Sequence, residues 1–171
     1  MPESISAAYL SPTPPPKGRQ RLNKAVGGAS AAALLITAVA GFEGKRNDPY
    51  KDIVGVWTVC YGETRVAMRP YTDAECKDML ADGLSDFAGP VLARNPELRG
   101  HDSQTAAAVS LAYNIGSANY NRSTVAREFS AGRWRRACDA FLSWRFAGGR
   151  EVPGLLRRRQ AERAMCLRGV A

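Results

Sequence analysis

The stretch EGKRNDPYKDIVGVWT, residues 43–58, is dense in charge and directly follows an uncharged run, AVGGASAAALLITAVAGF, at residues 25–42. It places Glu43 at the edge of an apolar segment and Asp52 further along, beside Lys51. A protonated carboxyl in an apolar setting and a second, ionised carboxylate form the pair that glycoside hydrolysis uses. Thr58 adds a hydroxyl that can orient a water. The spacing alone is weak evidence, because most acidic pairs are solvated surface groups.

The uncharged run at residues 25–42 predicts a segment that spans a membrane only marginally. As a helix it is about 27 Å long, against a hydrocarbon core of about 30 Å. Residues 1–24 precede it as a Pro- and Ser-rich tail, which we expect to be disordered. A basic flank before an apolar run is typical of an N-terminal export signal. That flank comprises Lys17, Arg19, Arg21 and Lys24.

Two other interpretations of the uncharged run stay open. One is a buried, Ala-rich helix in a soluble core. The other is a cleavable signal peptide, because AVA at residues 38–40 resembles an A-x-A cleavage site. Cleavage there would leave only Gly41 and Phe42 ahead of Glu43, so we favour a retained segment.

Composition narrows the class of protein. The 171 residues carry a net charge of +8 and suit one domain with an appendage. This charge favours polyanions such as nucleic acid, anionic membranes or cell-wall polymers. Nucleic acid is disfavoured, because aromatic residues are not interleaved with the arginines. The arginine run 157–159 could bind an anionic polymer, but such a run is more often a solvated helix face, in which Arg158 pairs with Glu162. We favour structural support together with a general attraction to anionic wall material.

Local signals predict a mostly helical chain with one small β element near residues 53–70. We expect later helices at residues 103–116, 133–149 and 154–168. The expected helix caps are a capping box of Thr72 with Glu75, then Asp102 or Ser103, then Ser123. Four widely spaced cysteines and one histidine do not suit a zinc site, so we expect no metal and no cofactor.

Several ordered motifs between residues 42 and 168 resemble the phage-type muramidases of glycoside hydrolase family 24. They are FEG, PYKDIVGVWTVCYG, YTDAEC, SLAYNIG, STVAREF, ACDAFLSW and GLLRRRQAER. The family pattern E-x8-D-x5-T matches Glu43, Asp52 and Thr58. This resemblance implies an α+β, predominantly helical, lysozyme-like fold, with a small β-sheet subdomain, a helical lobe and a cleft between them.

The same resemblance implies an inverting lysozyme that cleaves the β-1,4 bond between N-acetylmuramic acid and N-acetylglucosamine in peptidoglycan. Glu43 would be the general acid, and Asp52 with Thr58 would position the attacking water. Tyr113 and Ser123 match positions that line the saccharide cleft, although Tyr113 also suits the core and Ser123 a helix cap. One departure is Cys60-Tyr61-Gly62-Glu63, where many relatives have Gly-x-Gly-His.

Within the family, residues 25–42 resemble the signal-anchor-release (SAR) segments of lambdoid-phage endolysins. The implied organisation is a tail at 1–24, this anchor at 25–42 and a catalytic domain at 43–171. The enzyme would begin at the host inner membrane and reach the periplasm after release. Its partner would be peptidoglycan, without nucleic acid, and we expect a monomer. Unlike some released relatives, this anchor has no cysteine, which excludes activation by disulfide exchange from the anchor.

Export makes two disulfides the expected state of the cysteines. From chain proximity we predict Cys60–Cys76 and Cys138–Cys166, one of three possible connectivities. The main alternative function is a non-enzymatic, membrane-anchored, cationic cell-wall binder, in which Glu43 is merely solvated. We further hypothesise that Glu43 enters the active site only once the anchor leaves the membrane.

Overall fold

The structure is a computed structural model that describes residues 17–171. The predicted mostly helical architecture with small antiparallel sheets is confirmed. The helices are α1 (Lys17–Val26), α2 (Ala29–Phe42), α3 (Asp73–Arg94), α4 (Asp102–Ile115), α5 (Ser117–Arg122), α6 (Thr124–Ser130), α7 (Trp134–Ala140) and α8 (Pro153–Cys166), with 3-10 turns at Pro96–Leu98 and Phe141–Arg145. The strands are β1 (Arg46–Lys51), β2 (Trp57–Cys60), β3 (Phe146–Ala147) and β4 (Arg150–Glu151).

A single large core holds the helices together. Helix α4 lies at its centre, with every residue from Gln104 to Ala112 buried. Helix α2 packs against α4 through a face that includes the fully buried Leu35 and Val39. Of the open interpretations of residues 25–42, the structure therefore shows a core helix over most of this run.

Helices α1 and α2 meet at a bend of 114°. Gly27, between them, has a φ of +86°, a conformation that glycine adopts at no steric cost. Taken one at a time, the helices of residues 17–171 are too short or too polar to span a bilayer. The bent pair α1 and α2 reaches the required length and composition together.

The structure corrects the predicted extent of the disordered tail. Residues 17–24 are helical rather than disordered, because Leu22 is completely buried and anchors α1 against the core. The rest of the predicted tail, residues 1–16, lies outside the described part of the chain.

The β structure also differs from the expectation. The main hairpin pairs β1 with β2, with Tyr50 opposite Thr58, so it begins upstream of residue 53. The predicted helix at 133–149 is instead α7, a 3-10 turn and a second hairpin, β3–β4. Gly148 and Gly149, both with positive φ, form the turn of that hairpin rather than a helix end.

Two of the three predicted helix caps are present. Thr72 and Glu75 form the capping box of α3, and Ser123 caps α6. The third prediction is wrong, because His101 occupies the N-cap position of α4 and makes no side-chain capping hydrogen bond. Asp102 and Ser103 lie within the first turn of that helix.

Candidate active site

Glu43 is the residue that ends α2. Its backbone N–H donates to the Val39 carbonyl at 3.0 Å, and its extended φ and ψ direct the chain out of the helix towards β1. The side chain is 31% exposed, and its Oε1 accepts a hydrogen bond from Arg158 Nη1 at 2.8 Å. Glu43 is therefore held by α8, far along the chain, and still reaches solvent.

Arg158 lies at the centre of a buried polar cluster. Its Nε donates to Glu162 Oε1 at 3.2 Å, and its Nη2 donates to the Ser110 carbonyl at 3.4 Å. The guanidinium carbon lies 4.9 Å from the centre of the Phe42 ring, a cation–π contact. Each nitrogen of this guanidinium thus has a partner, which fixes its orientation towards Glu43.

The interpretation of residues 157–159 as a solvated helix face is wrong for two of the three arginines. Arg158 and Arg159 are 6% and 0% exposed, while Arg157 is exposed. The expected i,i+4 pair of Arg158 with Glu162 is present, but it lies inside the protein. The sequence signal for this burial was Glu162 itself, which stands three and four residues after the two arginines.

Burial affects the ionisation of this cluster. It raises the pKa of Glu162, against the opposing influence of Arg159 and of the Ser110 hydroxyl, which donates to Glu162 Oε1 at 2.6 Å. Burial also lowers the pKa of Arg159. Arg159 Nη2 donates to Glu162 Oε1 at 3.1 Å. Arg159 Nε lies 2.8 Å from Glu162 Oε2, but the angle between them does not suit a hydrogen bond.

Asp52 lies in the loop that joins β1 to β2. Its Oδ1 accepts from the backbone amides of Val54 and Val56, both at 2.9 Å. Its own N–H donates to the Val56 carbonyl, also at 2.9 Å. Within the described residues, Oδ2 makes no protein hydrogen bond, so the carboxylate keeps one oxygen for a water or a ligand.

Thr58 is the second residue of β2 and is buried, with 4% exposure. Its hydroxyl donates to the Val56 carbonyl at 3.1 Å. The hydroxyl proton is therefore engaged by the same loop that binds Asp52, and the oxygen retains its lone pairs as acceptors. One hairpin thus carries both residues, and its first strand begins three residues after Glu43.

Tyr113 lies on α4 and lines an open cavity of about 390 Å³ between α3 and the segment 60–65. Its ring packs edge-on against Phe87, with centroids 5.3 Å apart. Burial, followed by the negative charge of Glu43, raises the pKa of its hydroxyl. Tyr113 therefore packs on its neighbours and also faces a cavity within the electrostatic reach of Glu43.

Ser123 is buried, and its Oγ accepts from the Ala126 N–H at 3.0 Å. The structure therefore confirms that Ser123 caps α6. Its contact with a saccharide stays a prediction.

Glu63 and Arg65 form a pair in the cavity wall that the sequence did not indicate. Arg65 Nε and Nη2 donate to the two carboxylate oxygens of Glu63 at 3.1 and 3.2 Å. This pairing lowers the pKa of Glu63. Glu63, at which the sequence departs from the expected family pattern, is therefore an anion paired with an arginine.

The cysteines form two disulfides, Cys60–Cys76 and Cys138–Cys166, the pairs predicted from chain proximity. The first ties the end of β2 to α3, and the second ties α7 to the end of α8. Among residues 17–171 no free thiol remains, and no group of three potential ligands is placed to hold a metal ion.

Comparison with known proteins places these features in a family. A model of the phage lysozyme family matches residues 40–162. The SAR-endolysin of Enterobacteria phage P21 is 40% identical over 165 residues, which cover 91% of this chain and 98% of the relative. The SAR-endolysin of Bacteriophage PS119 is 42% identical over 152 residues, which cover 84% of this chain and 89% of the relative.

Solved structures agree with the sequence matches. The crystal structure of a P22 lysozyme mutant has a TM-score of 0.69 at 28% identity, and the match covers 78% of this chain and 94% of that one. The predicted lysozyme-like α+β fold is confirmed by this similarity and by the helical core with its small hairpins.

Proposed function

The chain belongs to the phage lysozyme family, and on that premise we propose that it cleaves the β-1,4 bond between N-acetylmuramic acid and N-acetylglucosamine in peptidoglycan. The chain is a phage endolysin with the lysozyme type of glycoside hydrolase activity. The bond specificity and the roles of individual residues are the proposal. The observation that carries it is Glu43, bound by Arg158 at the end of α2, directly before the hairpin of Asp52 and Thr58.

Glu43 acts in its protonated form: it donates that proton to the leaving glycosidic oxygen and returns to the carboxylate that Arg158 binds in the free enzyme. Its partial exposure, beside a buried guanidinium and Phe42, leaves the carboxyl accessible while its position is fixed. Asp52 accepts a hydrogen bond from the attacking water through Oδ2, because its Oδ1 is engaged by loop amides. Attack from the opposite face of the sugar inverts the anomeric centre, a reaction for which inverting glycosidases hold their two carboxyl groups about 6.5–9.5 Å apart.

Thr58 orients the same water. Its hydroxyl proton is bound by the Val56 carbonyl, so the oxygen accepts a hydrogen bond from the water and directs it together with Asp52. The roles we assign to Tyr113 and Ser123 are saccharide contacts. The support for Tyr113 is its position in the cavity wall, where its ring can stack on a sugar.

We also propose that residues 25–42 begin in the host inner membrane and that the released enzyme acts in the periplasm. The support is the extensive similarity to proteins named SAR-endolysins, together with the Ala-rich composition of α2. In the folded protein α2 packs against α4, so Glu43 reaches Arg158 only when this helix is inside the domain. A helix embedded in the bilayer leaves that pair unformed, which keeps the tethered enzyme inactive.

The test is Glu43→Gln, assayed on purified peptidoglycan with the reducing ends and their anomeric form measured. We expect hydrolysis to fall by about 10²–10⁴-fold, since the proton donor is lost. Asp48→Asn, an exposed acid on β1, is the matched control and should leave hydrolysis unchanged. Full hydrolysis by the Glu43 variant would show that Glu43 is not the acid, whereas no release of reducing ends by the native protein would favour a non-enzymatic wall binder.

A further inference from the structure

Four charged side chains meet beneath the end of α2, and only one of them belongs to that helix. Arg158, Arg159 and Glu162 all lie on α8 and are 9% exposed or less. Glu43, contributed by α2, is the fourth. The charged groups that act on Arg159 and Glu162 are each other and Arg158.

The charges of this cluster balance only when α2 is docked. Two arginines and two glutamates sum to zero, whereas α8 alone contributes two positive charges and one negative charge. An uncompensated charge inside a protein is strongly unfavourable. Arg158 is the arginine of this cluster that meets the fourth charge, because its Nη1 donates to Glu43.

The other partners of Arg158 are contributed by α4 and α8 rather than by α2. Glu162 Oε1 binds Arg158 Nε, Arg159 Nη2 and the Ser110 hydroxyl at the same time. The Ser110 carbonyl accepts from Arg158 Nη2. These contacts orient the guanidinium so that one nitrogen and one face are left for α2.

We propose that Ser110, Arg158, Arg159 and Glu162 form a preformed charge socket that recognises the Phe42–Glu43 end of α2 and that Glu162 is a positioning residue for Glu43. The socket binds two groups of this helix end. It binds the Glu43 carboxylate through an ion pair, and the Phe42 ring packs on the face of the Arg158 guanidinium. Its neutralisation stabilises the docked helix, so docking of α2 and placement of Glu43 are one event. The proposed docking of α2 does not require the proposed reaction. Its effect on activity, however, rests on that reaction.

The net charge of the cluster predicts how the stabilities of the variants compare. Glu43→Gln leaves the cluster at +1, and Arg158→Met leaves it at −1. The double variant Glu43→Gln with Arg158→Met returns to zero. A charge socket therefore predicts that the double variant is more stable than the sum of the two single losses allows.

The first experiment measures the thermal midpoint of the full-length released protein and the hydrogen exchange of α2 amides. We expect each single variant to lower the midpoint by about 5 °C and to speed exchange in α2. The double variant should recover at least half of the combined loss. Arg157→Met, an exposed arginine of the same helix, is the matched control and should change neither quantity. Additive losses, or a double variant less stable than both singles, would overturn the socket.

The second experiment tests positioning by Glu162. Glu162→Gln should lower kcat about tenfold with KM unchanged, since the displaced Arg158 misplaces Glu43 without touching the substrate. Glu162→Asp, which keeps the charge, should recover part of kcat. Unchanged kcat in Glu162→Gln would overturn the positioning role, and so would equal losses in the Gln and Asp variants.

The outcomes separate the socket from the proposed reaction. Recovered stability in the double variant with no hydrolysis supports both. Recovered stability with full hydrolysis supports the socket and removes Glu43 as the acid. Additive stability losses with hydrolysis abolished by Glu43→Gln remove the socket and leave the reaction standing.

Discussion

Asp52 uses its two carboxylate oxygens for different purposes. Oδ1 closes the β1–β2 loop through the amides of Val54 and Val56, and Oδ2 makes no bond to the described protein. The loop geometry and the proposed chemistry therefore depend on different atoms of one side chain. A substitution that keeps Oδ1 as an acceptor can therefore separate the effect on the loop from the effect on the reaction.

Asp52→Asn is that substitution. Its amide oxygen still accepts from Val54 and Val56, so we expect an unchanged thermal midpoint. The lost negative charge should lower kcat on purified peptidoglycan by about 10²–10⁴-fold, because the water is no longer activated. Asp52→Ala removes both functions and should also lose about 1–2 kcal/mol of stability. Equal activity of the Asn variant and the native protein would exclude the carboxylate from the reaction.

Sequence reasoning at the residue scale identified Glu43, Asp52 and Thr58 as candidates but missed Arg158. The three candidates belong to one local motif, whereas Glu43 and Arg158 are 115 positions apart. Charged residues are seldom buried without partners, so an arginine run is by default a solvated face. Burial here depends on a partner that only the tertiary fold supplies.

Helix α1 is docked by a regular row of acids on α3. Asp78 accepts from the backbone N–H groups of Gly18 and Arg19, at the start of α1. Arg21 then pairs with Asp82 and Asp86 at 2.9 and 2.6 Å. Those exposed pairs contribute little individually, and the close approach at Gly18 is what brings the two helices together.

Gly18→Ala should disrupt this docking. A Cβ at residue 18 would overlap the Asp78 carbonyl oxygen, a backbone atom that cannot move aside. We expect a loss of about 1–3 kcal/mol and faster tryptic cleavage after Lys24, measured by thermal unfolding and limited proteolysis. Gly89→Ala on α3, where a Cβ meets no atom within 4 Å, is the control. Equal stability of the two variants would contradict a tight α1–α3 contact.

At the scale of elements, the secondary-structure predictions failed where the local sequence pattern and the tertiary contacts favour different structures. The Pro-rich and basic composition of residues 1–24 suggested disorder, yet Leu22 and Val26 provide one buried edge for α1. The stretch after residue 133 has helical periodicity, but its glycine pair turns a hairpin instead. The capping box of Thr72 and Glu75 was predicted correctly, because its hydrogen bonds all lie within four residues.

At the scale of the whole molecule, the proposed membrane anchoring requires α2 to suit two environments, the bilayer and the folded domain. In the folded domain one face is buried, while Ser30 and Thr37 on the other face remain exposed. These two positions can be made more apolar without repacking the core. Gly27 is less suitable, because its positive φ would strain any larger residue in the folded state.

Ser30→Leu with Thr37→Leu should retain the protein in the membrane and delay lysis. Both changes favour insertion of residues 25–42, whereas the folded domain keeps its contacts. The measurement is the share of intact protein in membrane and periplasmic fractions during expression. Ser30→Gln with Thr37→Gln, of similar size but polar, should be released at least as fast as the native chain. Equal release of both double variants would argue against an anchor in this segment.

The disulfides have a consequence for the order of events in this molecule. Their loops span residues 60–76 and 138–166, and neither contains nor crosslinks α1 or α2. On the proposed route, the rest of the chain can therefore form both disulfides in the periplasm while its first two helices are still at the membrane. Under that proposal the remaining step is non-covalent, since the disulfide-linked part of the chain only has to bind α1 and α2. Disulfide formation would then limit when that part is ready, and docking of the N-terminal segment would limit when the enzyme is complete.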